Sequence, residues 1–389
     1  MKIAIIGGVA AGTSAAAKAR RNNKEAEIVL FERDSDISYA GCGLPYYISE
    51  VTEGREKVII NTPEEFAEKN KIDVKTEHEV LDINSDKKSL KYKDLQTEEV
   101  DKYNYDKLII TTGASPIMPP IPGHDLDNIV PLRTVNDADR IKNIIDAQNP
   151  KKAVIVGAGL IGLEMAESFK ESGLEVGIIE KLPHVLPILS DDMSEIVEDH
   201  LREKNVDLLL NDGVSEFKGD DKVEKVVTES GKEVETDLVL LAIGVKPNVE
   251  LAKKAGIDIG ETGAIAVNEK METSIDDIYA AGDCAESKDL VTGNPAWVPL
   301  GSTANKQGRT AGENVTGGNA SHKGILKTGI TKIFDLAVSR TGLLASEARE
   351  NGYEVEEVKI KGVDHAGYYP DLNELHLKGV FDKKTNKII

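Results

Sequence analysis

Ala153-Val154-Ile155-Val156-Gly157-Ala158-Gly159-Leu160-Ile161-Gly162 is the stretch on which the fold turns. Four apolar residues, three of them β-branched, read as a buried strand. Three glycines follow at the G-x-G-x-x-G spacing. The first permits a tight turn, the second lets a pyrophosphate approach the backbone, and the third lets the next helix pack closely. That helix is expected from Leu163 to about Ser172. A strand, Glu175 to Ile179, then ends in Glu180, a carboxylate placed to accept bonds from ribose hydroxyls.

Working outward, the pattern recurs at the N-terminus. Ile3 to Ile6 leads into Gly7-Gly8-Val9-Ala10-Ala11-Gly12, with Val9 in place of the middle glycine. A small-residue helix is expected from Thr13 to about Arg21. A strand, Glu27 to Phe31, ends in Glu32-Arg33. Beyond each unit the parallel continues. Ile72 to Lys75, an alternating ribbon that includes Val80, and Leu108-Ile109-Ile110-Thr111-Thr112-Gly113 close the first half. Val206 to Leu209, a similar ribbon, and Leu238 to Gly244 close the second. Two dinucleotide units in one chain imply two cofactors that meet. A flavin and a nicotinamide are the economical pair, because hydride passes between stacked rings.

Composition narrows the surroundings. The 389-residue chain is 40% hydrophobic, enough for two or three domains with real cores. Its net charge of −20 disfavours nucleic acid and anionic lipid. No apolar run reaches membrane-spanning length, and the N-terminus reads as a strand, not a leader. The expected location is the cytoplasm. Two cysteines, Cys42 and Cys284, do not make a disulfide scaffold.

Thr273 to Asp283 reads as a strand running into Gly282-Asp283, and Pro299 to Arg309 as a helix start capped by Ser302 or Thr303. With these segments the chain resembles the two-dinucleotide-binding-domain flavoproteins, the pyridine nucleotide–disulfide oxidoreductase superfamily, over almost its whole length. The resemblance implies an α/β fold with two Rossmann-like domains and a partial α+β C-terminal dimerisation domain. Residues 1–113 and 244–322 would bind FAD, 114–243 would bind NAD(P)H, and 323–389 would form a truncated interface domain. It also implies that Asp283 holds the ribityl chain and that the helix near Ala304 faces the flavin. The expected flavin contacts are Gly7, Val9, Ala10, Ala11, Gly12, Glu32, Arg33, Val80, Thr112, Gly113, Gly282, Asp283 and Ala304. The expected nicotinamide-nucleotide contacts are Gly157, Gly159, Leu160, Ile161, Gly162, Glu180 and Gly244. Glu180 favours NADH, with NADPH the alternative that Lys181 admits. No metal is expected.

Ser38-Tyr39-Ala40-Gly41-Cys42-Gly43-Leu44-Pro45-Tyr46-Tyr47 carries the chemistry. Cys42 precedes a short helix with Pro45 in its first turn, a setting that lowers a thiol pKa. Dithiol relatives place a second cysteine where this chain has Tyr47, so the site owns one sulfur. Its oxidised form is then a sulfenic acid or a mixed disulfide. Peroxide and oxygen reductases of the single-cysteine branch carry a histidine at the position of Ala10. Coenzyme A disulfide and persulfide reductases carry Ser-x-x-x-Cys-Gly-Leu-Pro-Tyr-Tyr, which Ser38 to Tyr47 reproduces with Gly41 in place of the usual asparagine. Their His-Ala-x-Tyr-Tyr-Pro segment resembles His365 to Pro370. By that resemblance Ser14, Lys18, Arg21, Ser38, Asn305, His365 and Tyr369 contact substrate, the last two across a homodimer. Relatives continue for several dozen residues past the position of Ile389, completing the interface. The expected function is reduction of coenzyme A disulfide, or a related persulfide, by NADH through FAD and Cys42. An NADH oxidase or peroxidase, an electron-transfer reductase for a protein partner, and a flavin-binding remnant without turnover are the alternatives.

Overall fold

A computed structural model describes residues 1–389. Two five-stranded parallel sheets organise it. The first runs Ile278–Ala280, Lys107–Ile110, Lys2–Ile6, Glu27–Phe31, Asp73–Lys75. The second runs Val206–Leu209, Glu175–Ile179, Lys152–Val156, Leu238–Leu241, Ile129–Val130. Both central strands, Lys2–Ile6 and Lys152–Val156, are nearly all buried, as strands covered on two faces must be. Each sheet is followed by a three-stranded antiparallel ribbon: His78–Asn84 with Ser89–Asp94 and Val100–Asn104, then Val214–Lys218 with Lys225–Thr228 and Glu233–Glu235. The chain crosses between the sheets twice, and the crossings pair as Ala114–Pro116 with Val245–Pro247.

Both glycine-turn helices begin three residues earlier than their sequence patterns indicate, at Ala10 and Leu160. Neither has a side-chain cap. Their first N–H groups are therefore left for another acceptor, the usual condition of an anion-binding helix start. The third helix of this region, Gly301–Asn314, corrects the capping expectation. Leu300 occupies the N-cap, and Ser302 and Thr303 lie inside the first turn without capping anything. This helix packs on Ala10–Asn22 through small residues. A Cβ on Gly308 would lie 2.3 Å from the Ala11 carbonyl oxygen, and one on Gly312 would lie 2.3 Å from that of Ala15.

The C-terminal segment adds the hairpin Gly329–Ile333/Leu336–Arg340, the helix Ala345–Glu350, and a sheet of Val355–Val363, Glu374–Asp382 and Lys387–Ile388. Ile333 and Val338 join the second unit's core. The long hairpin exposes Val358, Ile360, Val363, Leu375 and Leu377. No helix is long and apolar enough to cross a membrane.

Candidate active site

The first cradle is built around the N-terminal glycine turn. Gly7 has φ +102°, and a Cβ there would sit 2.2 Å from the Thr111 carbonyl oxygen. A Cβ on Gly12 would sit 1.8 Å from the Gly7 carbonyl oxygen, so helix and turn meet only because both are glycine. Val9 and Ala10 are half-buried at the helix start, and Ala11 is buried. Glu32 accepts bonds from the N–H groups of Gly8 (2.6 Å) and Asp34 (3.0 Å). Burial pushes its carboxyl up while those backbone bonds pull it down. Gly282 has φ +83°, and its added Cβ would meet the Cβ atoms of Ala11 at 2.7 Å and Ala304 at 3.6 Å. The Gly282-Asp283 corner therefore lies between the starts of two helices. The buried amide of Gln307 accepts from the Gly282 N–H at 2.8 Å and holds it there. Thr112 and Asn248 exchange bonds of 2.7 and 2.8 Å, which fixes the crossing beside Gly113. Val80 is buried in the core shared with Phe31, and Arg33 is exposed.

The second cradle repeats the design. Gly157 has φ +103°, and a Cβ on Gly162 would lie 2.1 Å from the Gly157 carbonyl oxygen. Glu180 accepts from the Ala158 N–H (2.7 Å) and the Leu182 N–H (2.8 Å). Gly159, in contrast, has open space where its Cβ would be. Protein packing does not require that glycine, whereas a close-lying pyrophosphate does. Leu160 and Ile161 are half-buried beside it. Gly244, at φ +112°, lies in the turn three residues after the strand Leu238–Leu241. Lys181 pairs with Glu229 at 2.9 Å. These features fit a dinucleotide at each glycine turn. Bound there, FAD supplies two-electron chemistry and NAD(P)H supplies hydride.

Cys42 lies in a 3₁₀ turn, Gly41–Gly43, ahead of the five-residue helix Leu44–Ile48. The residue is exposed, yet its sulfur has enough protein around it that desolvation pushes the thiol pKa up. Glu164 and Asp283 push the same way, and only Arg133 opposes them. These causes run against the lowered thiol pKa expected from the helix start. Ser38 sits at φ +50°, and its hydroxyl accepts from the Asn61 side chain at 3.1 Å. Cys284 is fully buried, with its thiol against the carbonyls of Ile110 and Ala281, and has no path to substrate.

Two site residues escape the sequence reading. Arg133 donates to Asp283 at 2.7 Å and to the Ala114 carbonyl at 3.2 Å. Glu164 accepts from the Thr331 hydroxyl at 2.7 Å, one turn from Glu167, which is paired with Lys332 at 2.6 Å. A carboxylate on the helix that opens from a glycine turn is a signal that could have found Glu164. Arg133 lies in no fingerprint.

The expected substrate contacts fall into two groups. Ser14 donates to Asn305 at 2.6 Å, which joins the first helix to Gly301–Asn314. Lys18 is not a free cation, because it is paired with Glu313 at 2.9 Å. Arg21 is exposed. His365 and Tyr369 form an aromatic pair 5.8 Å apart between the strands of the long hairpin, and His365 bonds to Asp364 and the Pro370 carbonyl. All these partners are local, so within one chain they form a patch of their own, with Tyr368 and Tyr369 well exposed.

Two dinucleotide cradles, with an exposed cysteine on a turn beside the first, define a two-cofactor flavoprotein oxidoreductase. Residues 1–308 match the pyridine nucleotide-disulphide oxidoreductase family, and 329–389 match the dimerisation domain of that family. The chain belongs to this family and is an FAD-containing, NAD(P)H-dependent oxidoreductase. It is 40% identical over 384 residues to an NADH oxidase of Methanocaldococcus jannaschii, covering 98% of this chain and 85% of that one. It is 35% identical over 389 residues to the coenzyme A disulfide reductase of Staphylococcus epidermidis, covering 100% of this chain and 87% of that one. The solved NAD-dependent persulfide reductase of A. fulgidus superposes with a TM-score of 0.97 at 40% identity, covering 100% of this chain and 72% of that one.

Proposed function

We propose that this protein reduces the disulfide of coenzyme A, or a persulfide carried on it, with Cys42 as its redox sulfur. The observation that carries the reading is the state of the two cysteines. Cys42 is exposed, Cys284 is sealed in the core, and Tyr47 stands where a second active-site sulfur would be. One accessible sulfur can exchange with an external disulfide but cannot close an internal one. The Cys42 thiolate attacks the substrate sulfur, forming a Cys42 mixed disulfide and releasing one thiolate. Two electrons, originating in NADH, then cleave that bond and return Cys42 with release of the second thiol. FAD occupies the unit of residues 1–113 and 244–322, and NADH occupies 114–243. Residues 323–389 form the interface of a homodimer, across which His365 and Tyr369 reach the partner's cysteine. We place the protein in the cytoplasm, and its net charge of −20 fits a small-molecule substrate better than nucleic acid or anionic lipid.

Ala10 favours this reading over an oxidase or peroxidase, because no imidazole stands at that point of the glycine turn to steady a sulfenate. The test is twofold. Mass spectrometry of the oxidised protein should find a coenzyme A or persulfide adduct on Cys42. Turnover with coenzyme A disulfide should exceed turnover with hydrogen peroxide. Equal or faster peroxide reduction would move the protein to the peroxidase branch.

A further inference from the structure

Tyr47 follows Cys42 by five residues and is 8% exposed. Its hydroxyl donates to Asp139 Oδ1 at 2.8 Å. The other oxygen of that carboxylate accepts from Arg55 Nε at 2.8 Å. Arg55 turns its far edge onto Asp36, with Nη1 at 3.0 Å from Oδ1 and Nη2 on Oδ2. Two segments of the first unit thus converge on one carboxylate of the helix Val135–Gln148, the Cys42 helix and the turn Arg55–Lys57, and Arg55 ties that turn in addition to the loop after Glu32. A second tie reaches the same short helix from the second unit. Ser168, on Leu160–Glu171, donates to the Pro45 carbonyl at 2.8 Å.

A five-residue helix does not hold itself together in water. The place of Cys42 is therefore set from outside: by the packing of Leu44, Tyr47 and Ile48 in the core, by backbone bonds such as Ala40 N–H to the Val58 carbonyl, and by two side-chain bonds that both come from the helices following the first crossing. Of the two, only the Tyr47 bond has a charged acceptor, which makes it the stronger. Burial, and after it the bond to Asp139, push the Tyr47 phenol up to about 12. It stays a neutral donor throughout the range in which thiols exchange.

We propose that Tyr47, Asp139 and Arg55 are positioning residues for Cys42, a clasp that fixes the cysteine turn against the helices of the second unit. The inference rests on Cys42 being the redox sulfur. Phenylalanine at position 47 keeps the ring's packing and removes only the donor, so the clasp can be opened without emptying the core.

The test uses the FAD-loaded protein with Tyr47→Phe, Asp139→Asn and the double variant. Three quantities are read: kcat and KM with coenzyme A disulfide, the rate of flavin reduction by NADH, and the alkylation rate of reduced Cys42 by iodoacetamide. Each single variant should lower kcat about tenfold, because a displaced reacting atom loses its attack geometry. Cys42 alkylation should change by about threefold or more, while flavin reduction stays within about twofold. The double variant should be no worse than the worse single, since Asp139→Asn already weakens both bonds of that carboxylate, the one from Tyr47 and the one from Arg55. Native turnover and native alkylation in Tyr47→Phe would overturn the proposal. So would effects that multiply in the double variant, or flavin reduction that falls in step with turnover, which would make the clasp a domain fastener only. Should Asp139→Asn not fold, Tyr47→Phe and its alkylation rate decide alone. Alkylation reads the place of the sulfur whatever the substrate, so a wrong substrate and a wrong clasp give different results.

Discussion

Glu32 and Glu180 each do two things with one carboxylate. Each reaches back from the end of the second strand to the N–H after the first glycine, at 2.6 and 2.7 Å, and so braces the turn it serves. The place of each acid after its strand was readable as a ribose contact. The brace was not, because it depends on where the turn aims its N–H. Glu180→Ala should shrink the preference for NADH over NADPH, measured as relative rates of flavin reduction, since the carboxylate that repels a 2′-phosphate is gone. A native protein that prefers NADPH would contradict the reading. Cys42 yields a pH prediction with a definite sign. Desolvation and two carboxylates raise its pKa, so in protein stripped of FAD the thiolate forms above the ordinary cysteine range. Iodoacetamide labelling should rise with pH to a midpoint above about 8.5, and a midpoint below it would show that the helix start prevails. Arg133 illustrates what a sequence hides, because its partner Asp283 lies 150 residues away.

At the scale of elements, strands and glycine turns were legible because apolar runs and glycine spacing are local signals. The starts of the helices were not, since Ala10 and Leu160 look like turn residues until the unpaired N–H groups are seen. The closest helix contact also stayed hidden. Ala11 and Ala15 face Gly308 and Gly312, a pairing that only the tertiary fold creates. It yields a prediction opposite to helix propensity. Glycine to alanine inside a helix ordinarily stabilises by about 0.5–1 kcal/mol. Gly308→Ala should instead destabilise, because the new Cβ falls 2.3 Å from a backbone carbonyl oxygen that cannot step aside. Thermal denaturation should show a lower midpoint and earlier release of FAD, since the same two helices frame the Gly282-Asp283 corner. An unchanged or higher midpoint would show that the helices separate at little cost.

At the scale of the molecule, the internal repeat was visible throughout: strand, glycine turn, helix, acid-ended strand, ribbon and closing strand, twice over. The two sheets reproduce that order strand for strand, with Ile129–Val130 and Ile278–Ala280 added at their edges. The aromatic patch around His365 shows the limit. Its residues were found, but the relation to Cys42 proposed above involves a second copy of the chain, which a single sequence does not display. The outward hairpin, with exposed Ile360, Leu377, Tyr368 and Tyr369, is the surface on which the proposed function has that copy dock. Light scattering at micromolar concentration should give twice the chain mass. His365→Ala should lower turnover with coenzyme A disulfide while leaving flavin reduction by NADH intact. A monomer with full turnover would remove the patch from the mechanism.

The central claim is that electrons leave through one sulfur, and Cys42→Ser tests it most directly. Flavin reduction by NADH should be unchanged, because that half-reaction does not use the thiol. Reduction of coenzyme A disulfide or of the persulfide should fall by roughly 10³ or more, since serine's hydroxyl cannot form an exchangeable sulfur–sulfur bond. Cys284→Ser should change neither rate. A loss of less than about tenfold in Cys42→Ser would mean that electrons pass from the flavin directly to the acceptor, and would contradict the account.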